Sequence, residues 1–304
     1  MICEKIDLYG DRRVMLYTYV QKWTTVQGHY PARGGVLVLP GGAYRFHGVS
    51  EGEPVAAAFA AAGFNAYLLR YSIGEHAAFP ASAADTMRAL KLIRENAEKW
   101  NQDPDKLSLC GFSAGGHVAA CVGTMWNRAD LQAAAGNPGP LGRPNALVLG
   151  YPCITVDIEA QKGMYSLLCG DRSLEELREL ASAEKWVGPD TPPVFLWNIY
   201  RDKMVPVEHG LLFMEALAKN NIPFECHTYM NGTHASALCT PASSLGDPVR
   251  ENAHTRPLAY RCGGVAYPDF RQPGVGCGAG KHEIHGEGPG PHGRALLPDG
   301  LRFE

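Results

Sequence analysis

Three side chains, far apart along the chain, have the chemical types needed to break an acyl bond by nucleophilic attack. Ser113 lies in "LCGFSAGGHVAA" (109–120), between Gly111 and Gly115; Asp202 lies in "YRDKMVPVEHG" and His234 in "YMNGTHASAL". A serine hydroxyl is a weak nucleophile until a base takes its proton, and imidazole is that base when a carboxylate holds the ring in the right tautomer. The order Ser, Asp, His is the order in which these partners follow one another on a parallel sheet with crossover helices. A Gly-x-Ser-x-Gly pattern also arises by accident in a chain with 35 glycines, so its flanks decide. "KLSLC" before it reads as a buried strand and "AGGHVAACV" after it as a helix, the strand–turn–helix setting that lifts a serine hydroxyl above a sheet edge.

Attack on a carbonyl also needs donors for the charge that develops on its oxygen. "VLPGGAYRF" (38–46) follows a strong apolar strand, and its glycines let the backbone bend toward a substrate. The expected donors are the backbone N–H groups of Gly42 and Ala43, with that of Ala114 at the start of the elbow helix, where N–H groups lack helical partners.

Rival residues have the wrong addresses. Asp157 and Asp171 fall in an irregular stretch and Asp190 precedes its strand. His117 sits inside the elbow helix and is expected to pack there, His209 falls in the helix after Asp202, and His227 lies within a strand. His254, His282, His285 and His292 belong to a tail of different composition. "HEIH" (282–285) lacks the further ligands that a metal site needs, so no metal is expected.

The elements that must position these residues are legible as an alternation. "GVLVLP" (35–40), "NAYLLRYS" (65–72), "KLSLCGF" (106–112), "NALVLGYP" (145–152), "PVFLWNIY" (193–200) and "FECHTYM" (224–230) read as strands. "EPVAAAFAAAG" (53–63), residues 80–100, residues 114–125 and "VEHGLLFMEALAKN" (207–220) read as helices between them. This rhythm predicts an α/β chain with a mostly parallel sheet covered by helices on both faces. Ser113, Asp202 and His234 then share the carboxyl edge of the strands, where open parallel sheets keep their sites. Residues 153–192 break the rhythm and predict a small insertion over that edge, with a helix in "SLEELRELAS" capped by Ser173.

From Pro241 the composition changes. Gly and Pro become dense, as in "RQPGVGCGAGKHEIHGEGPGPHG" (271–293), and apolar periodicity is lost. The expected organisation is one domain over residues 1–240 and a tail without secondary structure over 241–304. The 304 residues carry a formal net charge of -3, with 28 Lys and Arg against 31 Asp and Glu and no run of like charge, so nothing marks a nucleic-acid partner. No segment is apolar for long enough to span a membrane, and the N-terminus lacks the uninterrupted apolar core of a secretory signal. The nine cysteines are scattered, without zinc-type spacing, and are expected to be reduced thiols in a cytoplasmic protein. Nothing reads out an oligomeric state.

With these residues in place, the chain resembles the α/β-hydrolases of the acetyl-xylan and feruloyl esterase-like group (BD-FAE-like), related to hormone-sensitive-lipase-type esterases. The resemblance runs from about residue 14 to residue 238, through "LPGGAYRF", "EGEPVAAAFAAAGFNAYLLRYS", "DPDKLSLCGFSAGGHVAA", "PPVFLWNIYRDKMVPVEHGLLFMEAL" and "FECHTYMNGTHASAL". It implies a cofactor-free serine hydrolase of small carboxylic esters, with a carbohydrate ester such as an acylated plant polysaccharide fragment as substrate. A prolyl-oligopeptidase-type peptidase shares the triad but usually carries a separate propeller domain, and none fits in this chain; a catalytically silent binding protein of the same fold is the other alternative. The chain departs from the pattern at Ala43, where a third glycine is usual, at Asn198 and Arg201, where His and Asp are common, and at Ala235, where glycine is usual. The family's closing amphipathic helix is also absent. "CGGVAY" (262–267), read one nucleotide out of frame, can encode Ala-Val-Glu-Trp-Leu-Thr, so a reading-frame slip between about residues 242 and 260 is the expectation that the gene sequence tests. Losing four or five buried side chains would remove on the order of 6–15 kcal/mol.

Overall fold

Alternation along each central strand sends successive side chains to opposite faces of a sheet, and both faces are apolar here. Strand β3 (Arg33–Leu39) puts Leu37 and Leu39 into one core and Val36 and Val38 into another. Strand β5 (Gln102–Phe112) divides Leu107 and Leu109 from Cys110 and Phe112 in the same way, and β7 (Val194–Ile199) divides Leu196 from Phe195 and Trp197. Strands buried on both faces need helices on both. Helices α2 (Ala81–Glu95), α4 (Ser113–Met125) and α8 (Glu208–Lys219) cover the first core through Met87, Leu90, Val118, Val122, Phe213 and Leu217. Helix α1 (Glu53–Ala61) covers the second through Val55, Ala56 and Phe59.

This computed structural model describes residues 1–21, 31–158, 162–247 and 250–251. The chain divides into two units, Met1–Pro268 and Asp269–Glu304; the second, with "HEIH" and most of the glycine-rich tail, lies outside the described residues, as does the reading-frame question at 262–267. The described residues form an eight-stranded sheet in the order β1 (Lys5–Asp7), β2 (Met15–Tyr19), β4 (Asn65–Arg70), β3, β5, β6 (Ala146–Gly150), β7 and β8 (Phe224–Tyr229). Strands β1 and β2 pair antiparallel with each other, and β2 pairs antiparallel with β4. From β4 through β3, β5, β6, β7 and β8, every pairing is parallel.

Three local readings need revision. The helix expected over 80–100 breaks at Asn96, whose side-chain amide donates to Leu92 O at 2.9 Å, and restarts as α3 (Ala97–Trp100). An Asn that bonds its own backbone competes with the helical ladder. The antiparallel pair β1–β2 lies ahead of the first strand that the sequence pattern exposed. Beyond Pro241, where no secondary structure is expected, α9 (Pro241–Ser244) forms: Thr240 and Ser243 make a reciprocal capping box, Pro241 pre-sets the first turn, and Ser243 and Ser244 are buried.

The stretch 153–192 holds α5's successors in the chain: after α5 (Ala129–Ala134) come α6 (Lys162–Cys169) and α7 (Leu174–Ala181). Ser173 caps α7 as expected, with Glu176 completing a capping box. No helix among the described residues is long and apolar enough to cross a membrane. The seven described cysteines carry free thiols, four of them buried.

Candidate active site

At the junction of β5 and α4 the chain turns on Ser113, which takes φ = 50°. That left-handed conformation costs a non-glycine residue about 1–2 kcal/mol and is held by the packing on either side. The two glycines of the pattern supply the room. A Cβ on Gly111 would run into the carbonyl of Gly115, and one on Gly115 into the carbonyls of Leu39 and Pro40. Ser113 stays 7% exposed, enough to face a ligand.

His234, in the loop after β8, reaches Ser113 Oγ with Nε2 at 2.9 Å. Its Nδ1 lies 2.7 Å from Oδ2 of Asp202, in the loop after β7. The other carboxylate oxygen, Oδ1, accepts the backbone N–H groups of Met204 at 2.7 Å and Val205 at 3.0 Å, so only Oδ2 is left for the imidazole. Because a carboxylate only accepts, Nδ1 carries the proton and the Nε2 lone pair faces the serine hydroxyl. The Asp202 side chain is fully buried and that of His234 is 15% exposed. Ala235 takes φ = 59°, the left-handed conformation that favours the usual glycine.

The loop after β3 coils tightly beside the serine. Gly42 takes φ = 124°, and Ala43 and Tyr44 take 53° and 58°. The carbonyl of Gly42 accepts the N–H groups of Arg45 and Phe46, and Gly48 N–H closes the loop onto Gly41 O at 2.9 Å. The N–H groups of Gly42 and Ala43 meet no acceptor among the described residues. Ala114 N–H belongs to the first turn of α4, where N–H groups have no helical partner.

His117 packs as expected, 1% exposed, yet it also braces this loop. Its Nε2 lies 2.8 Å from Ala181 O and its Nδ1 2.7 Å from Tyr44 Oη. Nε2–H therefore donates to the end of α7, and Tyr44 O–H donates to Nδ1. Burial pushes the imidazole down to about 4, so it stays neutral. The rival residues lie elsewhere. Asp157 pairs with Arg178 and Lys185, Asp190 accepts from Asn127, and His227 pairs with Glu225. The Nδ1 of His209 accepts Ile154 N–H at 3.0 Å, and burial pushes this ring down to about 3.

Residues 27–217 match the protein-family model described as BD-FAE. The chain belongs to the BD-FAE family. This BD-FAE chain is 36% identical over 208 residues to the endo-1,4-beta-xylanase B of Butyrivibrio fibrisolvens, a match covering 66% of this chain and 32% of that protein. It spans 32%, 46% and 42% of the lengths of three curated relatives that it matches. Among solved structures, an acetyl ester-xyloside bifunctional hydrolase from Caldicellulosiruptor lactoaceticus aligns with TM-score 0.70 and 29% identity over 86% of this chain and 94% of that one. An alpha/beta hydrolase enzyme from a Medee basin deep-sea metagenome library aligns with TM-score 0.69 and 30% identity over 88% and 98%. The fold is that of the α/β-hydrolases.

Sequence reading passed over the Tyr44–His117 pair and Glu51, whose carboxylate accepts Gly41 N–H at 2.8 Å. Glu51 and Glu53 look alike in "SEGEP"; only the fold buries the first at 2% exposure and leaves the second pairing with Arg70 at the surface.

Proposed function

We propose that the chain is a serine carboxylic-ester hydrolase acting on small acyl esters, with acetyl or feruloyl groups on plant polysaccharide fragments as the substrate class. The observation that carries this reading is the unbroken run of hydrogen bonds from Asp202 through His234 to Ser113, at 2.7 and 2.9 Å. Ser113 Oγ attacks the ester carbonyl carbon while its proton passes to His234 Nε2, and the carbonyl π pair moves onto oxygen. The N–H groups of Gly42, Ala43 and Ala114 receive that oxyanion; one such donor is worth about 10²–10³ in kcat. Collapse expels the alcohol, which leaves with the proton from Nε2. Water then gives a proton to His234 and attacks the acyl-serine, and the acid departs as Ser113 Oγ recovers its proton. Asp202 keeps Nδ1 protonated and stabilises the imidazolium throughout.

The carbohydrate part of the reading rests on the names of the xylanase and the xyloside hydrolase above, and the acyl part on the family. The test is hydrolysis of p-nitrophenyl acetate, followed by a panel from acetylated to feruloylated xylo-oligosaccharides. Turnover abolished by Ser113→Ala supports the proposal. Folded protein that releases no acid from any ester of the panel overturns it.

A further inference from the structure

Behind the serine, a second buried carboxylate joins two loops that lie far apart in sequence. Glu51 ends a 3₁₀ turn, Val49–Glu51, that immediately precedes α1. Its Oε2 accepts the N–H of Gly41, at the root of the loop bearing Gly42 and Ala43, at 2.8 Å. Its Oε1 accepts the hydroxyl of Tyr151 at 2.8 Å. Tyr151 follows β6, is 1% exposed, and its own oxygen accepts the N–H of Ala237, three residues beyond His234, at 3.0 Å. The Tyr151 ring stands edge-on to the His234 imidazole, with centroids 4.9 Å apart. In the same turn, Ser50 Oγ donates to Ala235 O at 3.3 Å.

The fit is tight. A Cβ on Gly41 would come within 2.7 Å of Glu51 Oε2 and 2.8 Å of Ser113 Cβ, and one on Gly48 within 2.7 Å of the same carboxylate oxygen. Burial pushes the Glu51 carboxyl up, while the Tyr151 hydroxyl, the nearby His234 and the Gly41 N–H act to hold it down. A buried carboxylate with a donor on each oxygen is costly to disturb, because either donor left unpaired carries its own desolvation penalty. The Asp202 and Ser113 bonds hold His234 between the loop after β7 and the elbow; the Glu51 and Tyr151 bonds join the loop after β3 to the loop after β8.

We propose that Glu51 and Tyr151 are positioning residues that lock the Gly41–Ala43 loop and the His234 loop to each other across Ser113, so that oxyanion donors and base keep one spacing. This rests on the esterase reading for its catalytic consequence, but the lock itself is independent of activity. It is distinct from a direct role, since the His234 ring nitrogens bond to Asp202 and Ser113, and the Glu51 and Tyr151 oxygens bond instead to Gly41, Ala237 and each other.

The variants Tyr151→Phe and Glu51→Leu test it, alone and combined; Leu fills the space but accepts from neither Gly41 N–H nor the Tyr151 hydroxyl. Tyr151→Phe keeps the ring against His234 and removes only the hydroxyl. Two readouts apply. Amide hydrogen exchange, read by mass spectrometry, should accelerate in both variants in the peptides containing Gly41 and Ala237 together, whether or not the protein turns over ester. With p-nitrophenyl acetate, kcat per serine titrated by a fluorophosphonate should fall about tenfold or more with KM within about twofold, as expected when reacting groups shift by a fraction of an ångström. The double variant should be no slower than the slower single one, because both cut the same link. Exchange unchanged in the far loop, an effect confined to KM, or unaltered kcat per titrated serine would each overturn the lock. A wild-type chain with no Ser113-dependent turnover would instead remove the esterase reading, with the exchange result still deciding the lock.

Discussion

Replacing Asp202 by Asn tests how far the hydrogen bonds around one carboxylate dictate the state of the imidazole. In the native protein Oδ1 takes the N–H groups of Met204 and Val205 at 2.7 and 3.0 Å, and Oδ2 takes His234 Nδ1 at 2.7 Å. Asn has the same shape but only one accepting atom. Two backbone donors claim that oxygen, because turning the amide around would aim its NH₂ at both of them. The NH₂ therefore faces Nδ1, which must accept, so the ring's proton moves to Nε2 and confronts the Ser113 hydroxyl. On the proposed mechanism His234 can then no longer take the serine proton, and its imidazolium form loses its counter-charge. Loss of the right tautomer in a serine triad costs about 10⁴ in kcat, or about 5 kcal/mol of barrier. Since the two backbone bonds survive, the melting temperature should move by only a degree or two. The assay is steady-state hydrolysis of p-nitrophenyl acetate with serine titration, beside thermal melting. A folded Asp202→Asn protein retaining more than about a tenth of wild-type kcat would refute this account of the site.

Other expectations follow from the same geometry. Gly115→Ala drives a methyl into the Leu39 and Pro40 carbonyls and should cost about 1–3 kcal/mol in urea unfolding along with most of the activity; a variant as stable as wild type contradicts the tight elbow. Ala235→Gly relieves a residue held at φ = 59°, so chemical denaturation should show stability unchanged or raised by up to about 1 kcal/mol, while a clear loss argues against that backbone. His117 sits buried and neutral at about 4 against 6.5 when exposed. The unfolded chain then binds the extra proton between those values, and the stability held above pH 6.5 drains away as pH falls toward 4. The stability advantage of wild type over His117→Gln, from urea melts across that window, should accordingly shrink by roughly 3 kcal/mol; a gap constant with pH would show that the ring is not a buried neutral base.

Much of this was written in local pattern. Strand–helix alternation foretold the parallel sheet, because periods of 2 and 3.6 are imposed by the backbone, and it also placed Ser113, Asp202 and His234 at strand ends on one edge. Ser173 announced its helix because a cap needs only its own turn. Even the strained position of Ala235 could be expected from the residue type that usually stands there. What the sequence could not reveal depended on side chains that meet only after folding. Asn96 breaks a helix that propensity would continue, and β1 and β2 are too short and too polar to stand out. Glu51 differs from Glu53 by nothing that composition records, yet one carboxylate is sealed between two loops and the other pairs with Arg70 at the surface. Residue type and spacing determined which groups could react; burial and distance, which are properties of the packed chain alone, decided which of them are held in register to do so.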